Sequence, residues 1–127
     1  VDPVSQVELI VPSFASPERT IERATLERRG GLRRIRFYLD GTNPWPFWED
    51  HSDTYMPTPA DLGLSPELES DLRDWYDSWN VSVHYNGDPV DPVWLDAWLL
   101  RGDELVGRVQ EQVWDFAEVI PEHRRGE

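Results

Sequence analysis

The sequence predicts an α+β fold in two layers, a small β-sheet packed against two main amphipathic helices. Three observations lead there. A capping side chain followed directly by proline recurs at Ser16-Pro17, Thr58-Pro59, Ser65-Pro66 and Asp91-Pro92, joining an oxygen that can accept an orphan helix N–H to a residue that has no N–H of its own. The apolar residues after Pro66 and Pro92 recur at helical spacing, whereas residues 33–39 alternate with a period of two. A chain of 127 residues fits a single domain, with residues 1–31 as a possible N-terminal extension and residues 32–120 as the core.

Taken along the chain, Val7 to Val11 reads as a first strand. Pro17 to Arg29 fits a helix, although its apolar stripe, Ile21, Ala24 and Thr25, is thin, and a hairpin turning at Gly30-Gly31 is the alternative. In the run 33–39, Ile35, Phe37 and Leu39 share one face and Arg34, Arg36 and Tyr38 the other, the pattern of a strand with one buried side. Residues 40–57, rich in proline, aspartate and aromatics, form a long loop. The spacing of Thr58 and Asp61 is that of a capping box and predicts one short helical turn.

The first main helix begins at Pro66. It places Leu68, Leu72, Trp75, Tyr76 and Trp79 on one side and Glu67, Glu69, Asp71, Arg73, Asp74 and Asp77 on the other. Residues 81–85 fit either its continuation or a strand, and Asn80-Val81-Ser82 reads as a turn. The second begins near Pro92 and aligns Leu95, Trp98, Leu99, Val106, Val109 and Val113, with Gly102 and Gly107 marking a bend or a closely packed neighbour. Phe116 to Ile120, ended by Pro121, reads as a last strand, so the expected sheet comprises 7–11, 33–39 and 116–120.

Composition excludes several chemistries. There is no cysteine, and all twelve basic residues are arginine, which removes thiol nucleophiles, thiolate metal sites, Schiff-base lysines and P-loop lysines. No phosphate-cradling glycine loop, G-x-S-x-G elbow or HExxH spacing is present, and neither a catalytic residue nor a cofactor is expected. No run approaches the ~20 apolar residues needed to span a bilayer, and Val1-Asp2-Pro3-Val4 lacks the regions of a signal peptide. The expectation is a soluble, cytoplasmic protein.

Charge points towards a partner. The net charge of −13 is divided unevenly: residues 1–39 hold seven arginines against five acids (+2), and residues 40–127 hold five against twenty (−15). Direct nucleic-acid binding requires the opposite sign, so a basic protein is the favoured partner. The aromatic loop supplies the candidate contact, with Trp45, Phe47 and Trp48 as anchors and Glu49, Asp50 and Asp53 as a charged rim. A loop plugged into the core is the competing reading. The arginine-rich segment 27–36 reads as a solvated turn offsetting the acidic body, with binding of phosphate or an acidic partner as the alternative.

The leading expectation is therefore a non-catalytic protein-binding module of the immunity-protein, antitoxin or inhibitor type. A small metal-dependent enzyme is one alternative, using Asp50, His51 and Asp53 with His84 as weak candidate ligands. A DNA-mimicking regulator is another.

Residues 35–41 (Ile-Arg-Phe-Tyr-Leu-Asp-Gly), Pro46-Phe47-Trp48, and residues 61–68 (Asp-Leu-Gly-Leu-Ser-Pro-Glu-Leu) with Leu72 and Trp75 together carry a resemblance. Over roughly residues 33–120 the chain resembles small acidic actinobacterial proteins of unassigned activity. The likeness rests on capping and core positions, and it implies no catalytic residues.

Overall fold

Each of the four cap-proline pairs starts a helix. In the computed structural model, which describes residues 10–82 and 91–124, α1 spans Pro17–Arg29, α2 Pro59–Leu62, α3 Pro66–Ser82 and α4 Pro92–Val113. The Ser16 Oγ accepts the Arg19 N–H at 3.2 Å, the Ser65 Oγ accepts the Leu68 N–H at 3.2 Å, and an Asp91 carboxylate oxygen accepts the Val93 N–H at 2.9 Å. At α2 the capping box is complete in both directions between Thr58 and Asp61. Gly30, at φ 67°, ends α1 in the left-handed region that glycine enters without penalty, so the hairpin alternative is not what forms. Asn80 to Ser82 form the last turn of α3, which replaces the turn expected there. Positions 83–85 lie outside the described residues.

The sheet has the order β2-β1-β3, with β1 at Arg33–Phe37, β2 at Phe47–Trp48 and β3 at Ala117–Pro121. β1 pairs antiparallel with β2 and parallel with β3, and the parallel pair requires the long crossover that α2, α3 and α4 provide. Ile35, Phe37, Ala117 and Val119 face the helices and are buried with Leu68, Leu72, Leu105, Val109 and Val113. The opposite face is polar: Arg34 and Glu118 are register partners at 3.3 Å, and Arg36 reaches Glu122 at 2.7 Å and Asp50 at 3.2 Å. The α+β class with a small sheet and two main helices is as the sequence predicts.

The third strand is different. Residues 7–9 of the expected first strand lie outside the described residues, and Ile10 and Val11 belong to no strand. Its place is taken by β2, from within the segment expected to be loop, because Phe47 enters the core against Phe37 (ring centroids 6.0 Å apart) and draws two residues into register with β1.

The buried face of α1 also departs from the apolar stripe. Ile21 is 37 % exposed, and the buried positions are Thr20 and Arg23. This helix docks through arginines onto the C-terminal end of α4, where Trp114 caps with helical φ, ψ and no glycine turns the chain back. Arg19 donates to Glu111 O at 2.8 Å and to Asp115 Oδ1 at 3.0 Å, and Arg23, one turn on, donates to Trp114 O and Ala117 O at 2.8 Å each. The guanidinium of Arg23 also lies 3.9 Å from the centre of the Trp114 ring. The carbonyls of Glu111 and Trp114, at the negative end of a helix macrodipole, are thus met by two cations, and Arg23 reaches on to the first carbonyl of β3. No helix among the described residues is long and apolar enough to cross a membrane.

The two glycines of α4 have opposite roles. A Cβ on Gly102 would fall 2.8 Å from Trp75 Cζ2 and 2.7 Å from His123 Cδ2, whereas one on Gly107 would meet nothing within 4 Å. Gly102→Ala is expected to destabilise the fold by about 1–3 kcal/mol through overpacking, and Gly107→Ala to stabilise it by up to about 1 kcal/mol through helix propensity. Urea unfolding midpoints of the two variants, moving in opposite directions, check both.

Candidate functional site

The aromatic loop is built from the inside. Asn43, almost wholly buried, donates from Nδ2 to Phe47 O at 2.7 Å and accepts the Trp45 N–H at 2.9 Å, while the Tyr76 hydroxyl is shared between Asp40 O and Asn43 O. Burial, then the nearby Asp40 charge, pushes the Tyr76 phenol above its ordinary value, which keeps it a neutral donor. Trp48 stacks on Tyr38 (4.9 Å, 8° between planes) and donates its indole N–H to Tyr38 O at 3.1 Å.

Of the residues expected to form a contact surface, Phe47, Trp48 and Glu49 are therefore buried. Glu49, 7 % exposed, receives a two-pronged fork from Arg33 at 2.8 and 2.6 Å, and this bond, more than the surrounding charge, raises the Arg33 guanidinium above its ordinary value. Trp45 is half-buried beneath Arg73, whose guanidinium is 4.2 Å from the ring. Asp50 turns to Arg36, and Asp53 is exposed with no partner among the described residues. His51 is exposed and holds φ 61°. Phe47 and Trp48 plug the core and Glu49 is buried with them, while Asp50 and Asp53 stay outside.

The alternative ligand set is not brought together. Among the described residues no group of three or more His, Asp or Glu side chains is placed to hold a metal ion, and His84 lies outside them.

A second constellation lies between α3 and α4. A cleft of about 330 Å³ is lined by Asp71, Asp74, Trp75, Ser78, Trp94, Ala97, Trp98 and Arg101. Its indoles belong to a four-tryptophan cluster: Trp75 and Trp98 stack at 4.2 Å and 9°, Trp79 packs on Trp98 at 4.7 Å, and Trp94 lies 6.0 Å from both Trp79 and Trp98. Trp75 and Trp98 are buried, and Trp79 and Trp94 half-buried. Asp71 is occupied by Arg108 at 2.6 Å and Arg101 at 3.6 Å, whereas Asp74 is exposed with no partner among the described residues. Alongside runs a ridge of Val93 (76 % exposed), Ala97 and Leu100 (64 % exposed).

No protein-family model matches the chain, and no curated protein does.

By sequence, Trp75, Trp79 and Trp98 fall on the apolar sides of their helices, a position that does not separate a core from the wall of a cleft. The readable signal was Val93-Ala97-Leu100, a second apolar line at i, i+4 and i+7 on the side of α4 away from the core stripe.

Midway along the same helix, Asp103 ties down the C-terminal segment. It accepts from Arg124 at 2.6 Å and contacts His123 Nε2 at 2.8 Å. Arg124 first, then His123, holds its carboxyl below the usual aspartate range, and Arg108 does the same for Asp71. A depressed carboxyl pKa contributes stability that is complete above the unfolded value and is lost as pH falls through the folded one. The urea midpoint is expected to begin falling below about pH 4, and the Asp103→Asn variant to show a smaller fall over that window. Equal acid limbs for the two proteins would remove Asp103 from the account.

Proposed function

We propose that the protein is a non-catalytic acidic binding module that engages a basic protein, as an immunity protein, antitoxin or inhibitor does. The observation that carries this reading is how the two signs of charge are used. Arg19, Arg33, Arg34, Arg36, Arg73, Arg101, Arg108 and Arg124 each lie within 4.0 Å of a carboxylate of the same chain, and Arg23 is buried on carbonyls. Glu67, Glu69 and Asp74 on α3 and Asp96 on α4 are exposed and have no cation among the described residues. Nine of the twelve arginines are thus engaged within the chain, while these acids face outward. Such a field accelerates encounter with a basic surface and selects against acidic ones.

The carboxyls with a resolved shift are held in the charged form, as an acidic binding surface requires. A general acid at neutral pH needs a raised carboxyl pKa, and the carboxyls with a resolved shift among the described residues, Asp61, Asp71 and Asp103, are all lowered.

The immobilised protein is expected to retain a defined basic protein from its source lysate at low salt and to release it near 0.5 M salt, where the screening length is about 4 Å. Neutralising Glu67, Glu69, Asp74 and Asp96 together should weaken that capture by about tenfold or more, while neutralising Glu18 and Glu22 on α1 should leave it intact. Capture indifferent to both salt and the acidic helix face would sink the proposal.

A further inference from the structure

We infer that the cleft between α3 and α4 receives a guanidinium, an arginine side chain of the partner laid against the indoles and forked towards Asp74. The inference rests on reading the protein as a module for a basic partner, and it names the chemistry of the contact. Volume comes first: about 330 Å³ is at the low end of the ~300–1,000 Å³ typical of ligand pockets, room for a side chain rather than a folded element. The walls then decide what kind. Trp94, half-buried beside the buried and mutually stacked Trp75 and Trp98, offers aromatic surface, to which a cation is attracted by the ring quadrupole, and Asp74 offers a carboxylate with no partner among the described residues.

Other occupants fit less well. An anion would meet Asp71 and Asp74, and the cation that lines the cleft among the described residues, Arg101, is already held by Asp71 at 3.6 Å and Glu104 at 2.9 Å. An apolar side chain would take water from Asp74 and give nothing back. Between the two cations, guanidinium is planar, weakly hydrated and able to stack and fork at once, whereas ammonium is a compact and strongly hydrated point charge. The chain uses the same pairing within its own fold, with Arg23 at 3.9 Å from the Trp114 ring and Arg73 at 4.2 Å from the Trp45 ring. The ridge of Val93, Ala97 and Leu100 beside the cleft gives the rest of a partner segment an apolar surface to cover.

The test uses three blocked tripeptides, Gly-Arg-Gly, Gly-citrulline-Gly and Gly-Lys-Gly, titrated into the full chain while the indole N–H resonances are followed by NMR. Arginine peptide should shift the Trp94 signal saturably and bind about threefold or more tighter than its uncharged citrulline analogue. Asp74→Asn should lower its affinity by a similar factor, and Ala97→Phe should abolish binding. Both variants change exposed positions, and unchanged urea midpoints confirm that they fold. No shift of Trp94, or equal binding of the citrulline or lysine peptide, overturns the inference. If Asp74→Asn and Ala97→Phe lose the peptide yet still capture the basic partner undiminished, the cleft is not the partner's seat and the binding-module reading stands. If the arginine peptide binds as stated but no basic protein is captured, the cleft's preference stands and the module reading fails.

Discussion

Two indoles lying face to face set the relation between the long helices. Trp75 on α3 and Trp98 on α4 stack at 4.2 Å, and each donates its ring N–H to the other's backbone carbonyl, at 2.9 and 3.0 Å. A buried tryptophan needs a partner for its one donor, and here the same two residues satisfy each other, which fixes separation and rotation together. Trp75 also touches Phe37 of β1 at 5.3 Å and the His123 ring at 6.1 Å, and its Cζ2 lies against the bare Cα of Gly102. One side chain thus couples the sheet, both helices and the C-terminal segment. Burying a ring of 150–250 Å² is worth about 4–6 kcal/mol gross, and the directional bonds convert that general attraction into a particular helix-helix geometry. The cleft follows from the same contact, because the helices are held at the Trp75 and Trp98 level while Asp74, Trp94 and Ala97 line the space beside it.

Arginine does the work that apolar residues or glycine caps do elsewhere. A helix with the thin stripe of α1 has little hydrophobic reason to dock, yet Arg19 and Arg23 join it to the C-terminal carbonyls of α4 and to Ala117 O of β3 with geometry that a methyl stripe could not supply. Arg33, Arg34 and Arg36 then bind β1 to acids from the loop and from the C-terminal strand region. The exposed pairs among these add little individually. Arg33 with the buried Glu49 and Arg23 with its carbonyls are different, since losing one partner leaves a buried polar group unsatisfied. The mildly basic first third of the chain is therefore an internal counterpart of the acidic remainder, and the arginine segment 27–36 is more than a solvated turn.

Local features were legible and non-local ones were not. The helix starts are encoded within three or four residues, so Thr58 with Asp61 and Ser65 with Leu68 could be read directly. β1 and β3 carry their own alternation, with Ile35, Phe37, Ala117 and Val119 inward. β2 is two residues long and exists only because Phe47 meets Phe37, a contact that no period in the sequence records. Hydrophobic periodicity is blind to guanidinium-carbonyl docking, so the orientation of α1 was out of reach. At the candidate site, the exposure of Trp48 and Glu49 was decided by Tyr38 and Arg33, residues 10 and 16 positions away. The cleft was hidden because indoles count as apolar whether they fill a core or wall a pocket.

The sheet leaves little surface for a partner to use. On the side of β3 away from β1, the Gln110 amide donates to Ala117 O at 2.9 Å and accepts the Val119 N–H at 2.8 Å, occupying the edge as a neighbouring strand would, and Pro121 has no N–H to offer. At the other edge, Phe47 O is taken by Asn43 and the Glu49 N–H by Tyr55 O. Unpaired edges are where strands recruit other chains, and both are blocked by the chain's own groups. The outer face of the sheet is cross-linked by Arg34 and Arg36 to Glu118, Asp50 and Glu122, and the C-terminal end of α4 is covered by α1. Exposed apolar surface and unpaired charge coincide in the loop at Tyr55 and Met56, close after Asp53, and more extensively along α3 and the first half of α4, where Val93, Ala97 and Leu100 adjoin Asp74 and Asp96. On the proposed binding role, a basic partner would cover this helical surface, where apolar area and unpaired acids lie beside the cleft.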